Sequence, residues 1–224
     1  MTTETDMIIQ RSDYPRIRTA LIELHTKILK VIGSDDIKTC GRHLGLLHKK
    51  TFVFDNETEM GILQDYETYS YRPHDFNMAE KYLRINRNHL DEFNLALLTH
   101  MSKAYYSAFV VDEVVREGEL RVREVFKGNL FTLLDNGLSK SVQSGFGFSG
   151  HMLRFNDFSM QTGGIMSIDR RLMDAEEVVQ FFNNSHHNPE SDDLLLNQKI
   201  NSKLARSMIS AAIRLGYTSK IKYQ

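Results

Sequence analysis

The chain has 224 residues, of which 41% are hydrophobic and 25% are charged, and its formal net charge is -1. This composition is that of an ordinary globular protein and excludes a globally disordered chain. Because the net charge is close to zero, there is no overall field toward nucleic acid or an anionic membrane, and either partner would need a local basic patch.

Cysteine usage and the start of the chain indicate a reducing compartment. Cys40 is the single cysteine, which excludes an internal disulfide and any zinc site built on a pair of cysteines. One cysteine fits a reducing interior, so we expect a cytoplasmic protein. The polar, acidic N-terminus lacks the features of a signal peptide, and no apolar run reaches the length of a membrane span. We therefore expect no membrane partner.

The first part of the chain is predicted to be helical. Residues 1–11 are expected to form a flexible tail, and residues 12–103 to form a helical region of five helices with short links. The clearest apolar stripe recurs every three or four residues: Ile17, Leu21, Leu24, Ile28 and Val31. Helix starts are indicated by short polar side chains that can cap them: Asn56, Asn77, and Asn88 or Asp91.

Residues 104–171 are predicted to form a small antiparallel β barrel of the SH3-like or OB-like kind. The period-two pattern of a half-buried strand is clearest in one run: Leu120, Arg121, Val122, Arg123 and Glu124. About five such strands, separated by Gly turns, suit a strongly bent barrel. Asp135-Asn136-Gly137 predicts a tight turn, because Asn and Gly tolerate positive φ.

The C-terminal part, residues 172–224, returns to helical periodicity. Its longest stripe is again apolar at helical spacing: Leu196, Ile200, Leu204, Met208, Ala211 and Leu215. We expect these helices to pack on the rest of the chain in one compact unit. The predicted class is therefore α+β, with an N-terminal helical half, a small β barrel and C-terminal helices.

A glycine-rich segment is the first candidate ligand site. Gly145, Gly147 and Gly150 match the G-x-G-x-x-G pattern whose backbone N–H groups can bind a phosphate. In a dinucleotide site those glycines join a strand to a helix. Here a strand pattern follows them, so the alternative is a connection in which Phe146 and Phe148 cover the end of the barrel.

An acidic helix is the candidate catalytic site. Glu59 and Asp65 lie on a helix that also carries Glu57 and Glu67, and paired carboxylates can bind a divalent metal or act as acid and base. The E-x-x-H and H-x-x-x-H spacings of helical metal sites are absent from it. We therefore predict no metal site and no cofactor, and the alternative is a capped, solvated helix start.

Two arginines form the candidate nucleic-acid site. Arg121 and Arg123 share one strand face, and small barrels bind single strands through such faces. Glu113, Glu117, Glu119 and Glu124 lie around them in the sequence, which favours an exposed face of mixed charge.

Two stretches resemble an uncharacterised bacterial family. Glu59 to Tyr66 reads E-x-x-x-L-x-D-Y, and Tyr106 to Val111 reads Y-S-x-F-x-V. The resemblance implies an acidic helix followed by further helices and a small β region, with no established activity. Some members carry a Cys/His zinc motif of the SEC-C type, which this chain lacks. Glu59 and Asp65 are the polar positions that match the family pattern.

These patterns favour a non-enzymatic binding or adaptor module with an unknown protein partner. The first alternative is a metal-dependent hydrolase-type enzyme that uses the acidic helix. The second alternative is nucleic-acid binding through the barrel, with Arg121 and Arg123 on its face.

Overall fold

The computed structural model describes residues 7–185 and 196–219 of the chain. Helices lie at both ends, and a closed five-stranded β barrel lies in the middle, which confirms the predicted α+β class. The expected tail over residues 1–11 falls partly outside the described residues, and within it Ile9 is buried against the first helices. No helix in the described part is long and apolar enough to cross a membrane.

The helices before the barrel include three that begin at polar caps provided by the sequence. In chain order the helices are α1 (Tyr14–Leu29), α2 (Ser34–Leu44), α3 (Glu57–Asp65), α4 (Met78–Asn86) and α5 (Glu92–Ser102). Asn56, Asn77 and Asp91 each accept a backbone N–H with their side chain at the start of α3, α4 and α5. A short hairpin, β1 (Leu47–His48) and β2 (Thr51–Phe52), separates α2 from α3.

The barrel has one long strand that pairs with two neighbours. Its strands are β3 (Tyr105–Arg116), β4 (Glu119–Glu124), β5 (Leu130–Leu134), β6 (Gly147–Arg154) and β7 (Ser159–Ser167). The order around the barrel is β3-β4-β5-β7-β6, and β6 pairs back with β3. The first half of β3 pairs with β6 and the second half with β4. Inward-facing side chains fill the interior, among them Phe109, Val122, Phe148 and Ile165.

The barrel closes at a narrow seam between β5 and β7. These strands run parallel and their register contains one pair, Leu133 with Ser159, whereas the other strand pairs are antiparallel as predicted. Side chains reinforce the seam. Asp135 Oδ2 accepts a hydrogen bond from Gln161 Nε2 of β7 at 2.8 Å and another from Arg18 of α1 at 2.6 Å.

The remaining helices are α6 (Asn136–Ser141), α7 (Arg170–Met173), α8 (Glu176–Ser185) and α9 (Gln198–Arg214). At Asp135–Gly137 the structure begins α6 where the sequence predicts a tight turn. Asp135 Oδ1 accepts the backbone N–H of Leu138 at 2.7 Å, because the short carboxylate that favours a turn is equally suited to cap a helix.

Two apolar layers enclose the barrel. In one, α1, α4 and α5 pack against barrel residues that include Leu153, Phe158 and Met160. In the other, α2 and α3 share a core with α8 and α9 against Tyr106 and Met166. Helices from both ends of the chain therefore bury apolar surface together, and this second layer contains the candidate acidic helix.

Candidate functional site

A π-helical turn extends α3 over Tyr66–Ser70. The backbone N–H of Tyr71 donates to the carbonyl of Tyr66 at 2.8 Å, and all five residues of the turn are buried. Turns of this kind are uncommon and frequently occur at functional sites. Glu59, Asp65 and the polar side chains of this turn are therefore the first group that could carry chemistry.

Asp65 is buried and its contacts are to the protein. Its Oδ2 accepts the hydroxyl of Thr162 at 2.6 Å and the backbone N–H of Gly164 at 2.7 Å, both from β7. Its Oδ1 lies 3.8 Å from Nε2 of His25 on α1. The carboxylate thus joins α3 to the barrel and to α1, and only 3% of the residue is exposed.

Aromatic and histidine rings surround this carboxylate. Tyr69 lies between two histidines, with its ring centroid 5.7 Å from that of His25 and 5.5 Å from that of His151. His25 Nε2 is 2.9 Å from the hydroxyl of Thr68, and His151 Nε2 is 2.6 Å from the hydroxyl of Ser70. Burial lowers the pKa of His151 to about 4, so the ring is neutral at pH 7.

Ser70 and His151 are in contact as a serine nucleophile and its base would be, but both side chains are closed off from a substrate. A neutral histidine within hydrogen-bond distance of a hydroxyl can act as a general base. However, each residue is only 2% exposed, so a substrate cannot reach the hydroxyl. The network around Asp65 therefore holds the π-helical turn against the barrel.

Glu59 is also held by protein donors. Its Oε2 accepts the backbone N–H of Asp55 at 2.8 Å, and its Oε1 accepts the hydroxyl of Thr218 at 2.9 Å. The residue is 2% exposed. Glu59 links the start of α3 to the C-terminal 3₁₀ turn, whereas Asp65 binds β7 and α1. The two predicted catalytic carboxylates thus have separate sets of partners.

Glu67 differs from these two carboxylates because one of its oxygens has no partner among the described residues. The residue is 3% exposed, and its Oε1 has no hydrogen-bond partner among the described residues. Burial, and secondarily the carboxylate of Asp36, raises the pKa of Glu67 to about 7. Glu67 also lines a small cavity next to α3.

The glycines of the G-x-G-x-x-G segment are explained by strand packing. Gly145 has a φ of 88°, and Gly147 and Gly150 lie in β6 between its two neighbouring strands. A Cβ at Gly147 would lie 3.0 Å from the carbonyl oxygen of Ile168, and one at Gly150 would lie 3.1 Å from that of Gly164. β6 begins within the segment, at Gly147, so the strand-to-helix geometry of a dinucleotide site is absent here.

The two arginines of the candidate nucleic-acid face are ion-paired. Arg121 lies 3.2 Å from the carboxylate of Glu113, and Arg123 lies 2.5 Å from that of Asp112. These side chains are exposed or half-buried, as expected for a face of mixed charge. Glu124 was expected on the same face but is buried, where it accepts the hydroxyl of Ser107. The acidic partners reduce the positive potential that a phosphate backbone would require.

The described residues contain no group of three or more His, Cys, Asp or Glu side chains that could hold a metal ion. Cys40 is fully buried on α2, and burial raises the pKa of its thiol. A thiol in this state is neither a ready metal ligand nor a ready nucleophile.

Two wider cavities lie on the helical layers. One, of about 710 Å³, lies along α5 and is bounded by residues 7–9 and the β6–β7 turn; we call it the α5 groove. The other, of about 390 Å³, lies between α1 and α4, where Lys27, Lys30 and Lys81 surround apolar atoms of Val31 and Ile85.

Sequence patterns did not single out Glu67, His25, His151 or Ser70. Glu67 is part of the acidic helix in the sequence, but nothing local distinguishes it from a solvated carboxylate. The two histidines are 126 positions apart in the printed sequence (151 − 25) and are brought together only by packing.

Comparisons with known proteins identify a family without assigning a function. The search of curated proteins and the search of solved structures gave no match. A model described as "Family of unknown function (DUF7986)" matches residues 9–172, which include α1 to α5 and the whole barrel. An uncharacterised family is what the resemblance implied, and the family's bacterial origin and its motifs stay predictions. The chain belongs to the DUF7986 family of unknown function.

Proposed function

We propose that this chain is a non-enzymatic binding module of the bacterial cytoplasm. Its partner is a protein, and the recognised element is a peptide segment that carries apolar and acidic side chains. The α5 groove is the observation that carries this proposal, because it combines apolar walls with positive charge at its rim.

The walls of the groove are supplied by three parts of the chain. Leu95, Ala96 and Thr99 of α5, Phe155 of the β6–β7 turn and residues 7–9 all line it. Ile8 among them is 63% exposed. An exposed apolar side chain beside an open groove leaves surface that a partner can cover.

The charge of the groove selects the chemistry of the partner. Lys103 and Arg87 contribute positive charge, and Glu92 is the one carboxylate among the lining residues. Burial lowers the pKa of His100, so this ring adds no charge at pH 7. Among the described residues that line the groove, the cations therefore outnumber the carboxylates by one, and acidic side chains next to apolar ones are complementary to this lining.

The state of the acidic helix supports binding rather than catalysis. Both oxygens of Glu59 accept hydrogen bonds from the protein, and Oδ2 of Asp65 accepts two. A general base must come within hydrogen-bond distance of its substrate. These buried carboxylates would first have to give up the contacts that hold α3 in position.

Selection from a phage-displayed library of random peptides tests the proposal. We expect enrichment of peptides in which Asp or Glu adjoins large apolar residues. A selected peptide, labelled with a fluorophore, should bind the full chain in an anisotropy titration. Lys103→Glu and Ala96→Arg should each weaken that binding by about tenfold or more, through charge reversal and through filling of the groove.

Lys50→Glu is the matched control, because Lys50 is exposed and lies outside the groove. It makes the same charge change and should leave peptide affinity within about twofold, since distant exposed charges are screened by salt. Absence of any enrichment, or equal binding of the peptide to Lys103→Glu and the wild type, would contradict the proposal.

A further inference from the structure

We propose a second binding site, independent of the α5 groove, in which Glu67 receives the ammonium group of a small aromatic or aliphatic amine. The site is the cavity between α1, α2, β2 and α3. Its defining feature is the juxtaposition of one buried, unpartnered carboxyl group with an otherwise uncharged apolar wall.

The cavity has a volume of about 250 Å³ and is open to solvent at one side. Besides Glu67, its wall includes the uncharged amide residue Gln64 but is otherwise apolar, and its apolar part comes from elements distant in sequence: Leu29, Ile37, Phe52, Phe54, Met60 and Leu63. Such a cavity can bury the body of a small ligand, while a single polar group fixes its orientation.

Glu67 is the ionisable group among the described residues that line the cavity. A buried carboxyl group without a hydrogen-bond partner is costly, and most buried polar atoms in proteins are satisfied. Oε1 of Glu67 is enclosed by the protein and has no partner among the described residues, so a ligand would have to meet the carboxyl group at its other oxygen, Oε2. A bound N–H donor there would give the carboxyl group a partner.

Charge in and around the cavity favours a cation over an anion. The other described lining residues are uncharged. The carboxylate of Asp36 on α2 repels the charged form of Glu67 and so raises its pKa. The rings of Phe52 and Phe54 are stacked, with centroids 5.9 Å apart and an angle of 6° between their planes. Aromatic faces attract a cation, so they add to the attraction of the carboxylates for an ammonium group.

Three ligands with the same phenyl body separate the chemistries. They are 2-phenylethylamine, 2-phenylethanol and 3-phenylpropionate, each titrated into the full chain by calorimetry at pH 8. This pH lies above the pKa of Glu67, which burial raises to about 7, and so keeps its carboxyl group ionised. We expect the amine to bind about tenfold more tightly than the alcohol, and the carboxylate to bind most weakly.

Two variants assign the binding to this cavity. Glu67→Gln should lower amine affinity about tenfold or more, because it removes the ion pair. Glu57→Gln makes the same change at an exposed position of α3 and should have no effect. Met60→Trp should block the cavity without touching Glu67, since Met60 lines it and is 49% exposed.

The outcomes of this titration decide the inference. Loss of amine binding in Glu67→Gln and Met60→Trp, with Glu57→Gln unchanged, supports it. If Glu67→Gln does not fold, the effect of Met60→Trp on amine binding decides whether the amine occupies this cavity. No amine binding to the wild type, tighter binding of the carboxylate, or undiminished binding in Met60→Trp would each overturn it.

Discussion

The backbone nitrogen of Gly164 lies 2.7 Å from Oδ2 of Asp65, which brings β7 into direct contact with α3. A Cβ at position 164 would lie 3.1 Å from that oxygen and 3.2 Å from the Cα of Ile62. We expect Gly164→Ala to lower the free energy of unfolding by about 1–3 kcal/mol, because backbone and a held carboxylate cannot easily move aside. Urea denaturation followed by circular dichroism measures this loss.

Gly61 provides the matched control on α3 itself. A Cβ there meets nothing within 4 Å, and alanine favours a helix over glycine. Gly61→Ala should therefore raise the free energy of unfolding by about 0.5–1 kcal/mol. Equal effects of the two substitutions would contradict the close approach of β7 to α3.

Glu67 should make stability fall as the pH rises. The folded chain holds the proton of Glu67 up to about pH 7, whereas the unfolded chain releases it near the ordinary value of 4.5. Between these values the unfolded state binds fewer protons, so the free energy of unfolding decreases with pH, by about 3 kcal/mol in total. Glu67→Gln removes this contribution and should gain stability relative to the wild type as the pH rises from 4.5 to 7.

His151 acts in the opposite direction over part of the same range. Burial lowers its pKa to about 4, so the unfolded chain binds more protons below the ordinary value of 6.5 and stability falls toward acid. The quantity to measure is therefore the difference between Glu67→Gln and the wild type in urea denaturation at pH 5, 6, 7 and 8. A difference that does not change with pH would show that Glu67 titrates normally in the folded chain.

Asn201 of α9 binds the backbone N–H and the backbone carbonyl of Tyr106 in β3. Its Oδ1 accepts the backbone N–H of Tyr106 at 2.7 Å, and its Nδ2 donates to the carbonyl of Tyr106 at 2.7 Å. All of these atoms are buried, so Asn201→Ala leaves two backbone groups without that partner. We expect a loss of about 2–4 kcal/mol in the free energy of unfolding, measured by urea denaturation.

Ser210 on the same helix is the control for this prediction. Its hydroxyl donates within α9, to the carbonyl of Ser207 at 3.2 Å. Ser210→Ala should change the free energy of unfolding by no more than about 0.5 kcal/mol. If Asn201→Ala were equally mild, the contact between α9 and β3 would not contribute measurably to stability.

Local chemistry allowed much of the architecture to be predicted. Asn56, Asn77 and Asp91 begin helices because a short polar side chain satisfies a backbone N–H that the helix leaves unpaired. The alternation of residues 120–124 gives β4, with its arginines outside. Asp135 shows the limit of this reasoning, because one side chain serves turns and helix caps alike. The π-helical turn and the parallel closure of the barrel depend on contacts between distant parts of the chain, and no local pattern indicates them.

The candidate site was predicted only in part for the same reason. The sequence identifies Glu59 and Asp65 as carboxylates on one helix. It does not show that Glu59 accepts a hydrogen bond from the hydroxyl of Thr218, or that Asp65 accepts one from Thr162. Burial decides whether a carboxylate is available for chemistry, and burial is a property of the packed chain. Glu67 follows on the same helical segment, and the sequence does not distinguish it from Glu59 and Asp65. In the structure Glu67 lines a cavity, and its Oε1 has no partner among the described residues.

The single backbone pair between β5 and β7 determines where this barrel should open first. Few ladder hydrogen bonds hold the seam, so the amide protons next to it should exchange with solvent before those of Phe109 and Val110 in β3, which pair with both β4 and β6. Arg18 and Gln161 both donate hydrogen bonds to Asp135 at this seam, so three side chains help to hold β5 and β7 together. Because Arg18 belongs to α1, a force or ligand that displaces α1 would break its hydrogen bond to Asp135 and loosen the barrel at the β5–β7 seam.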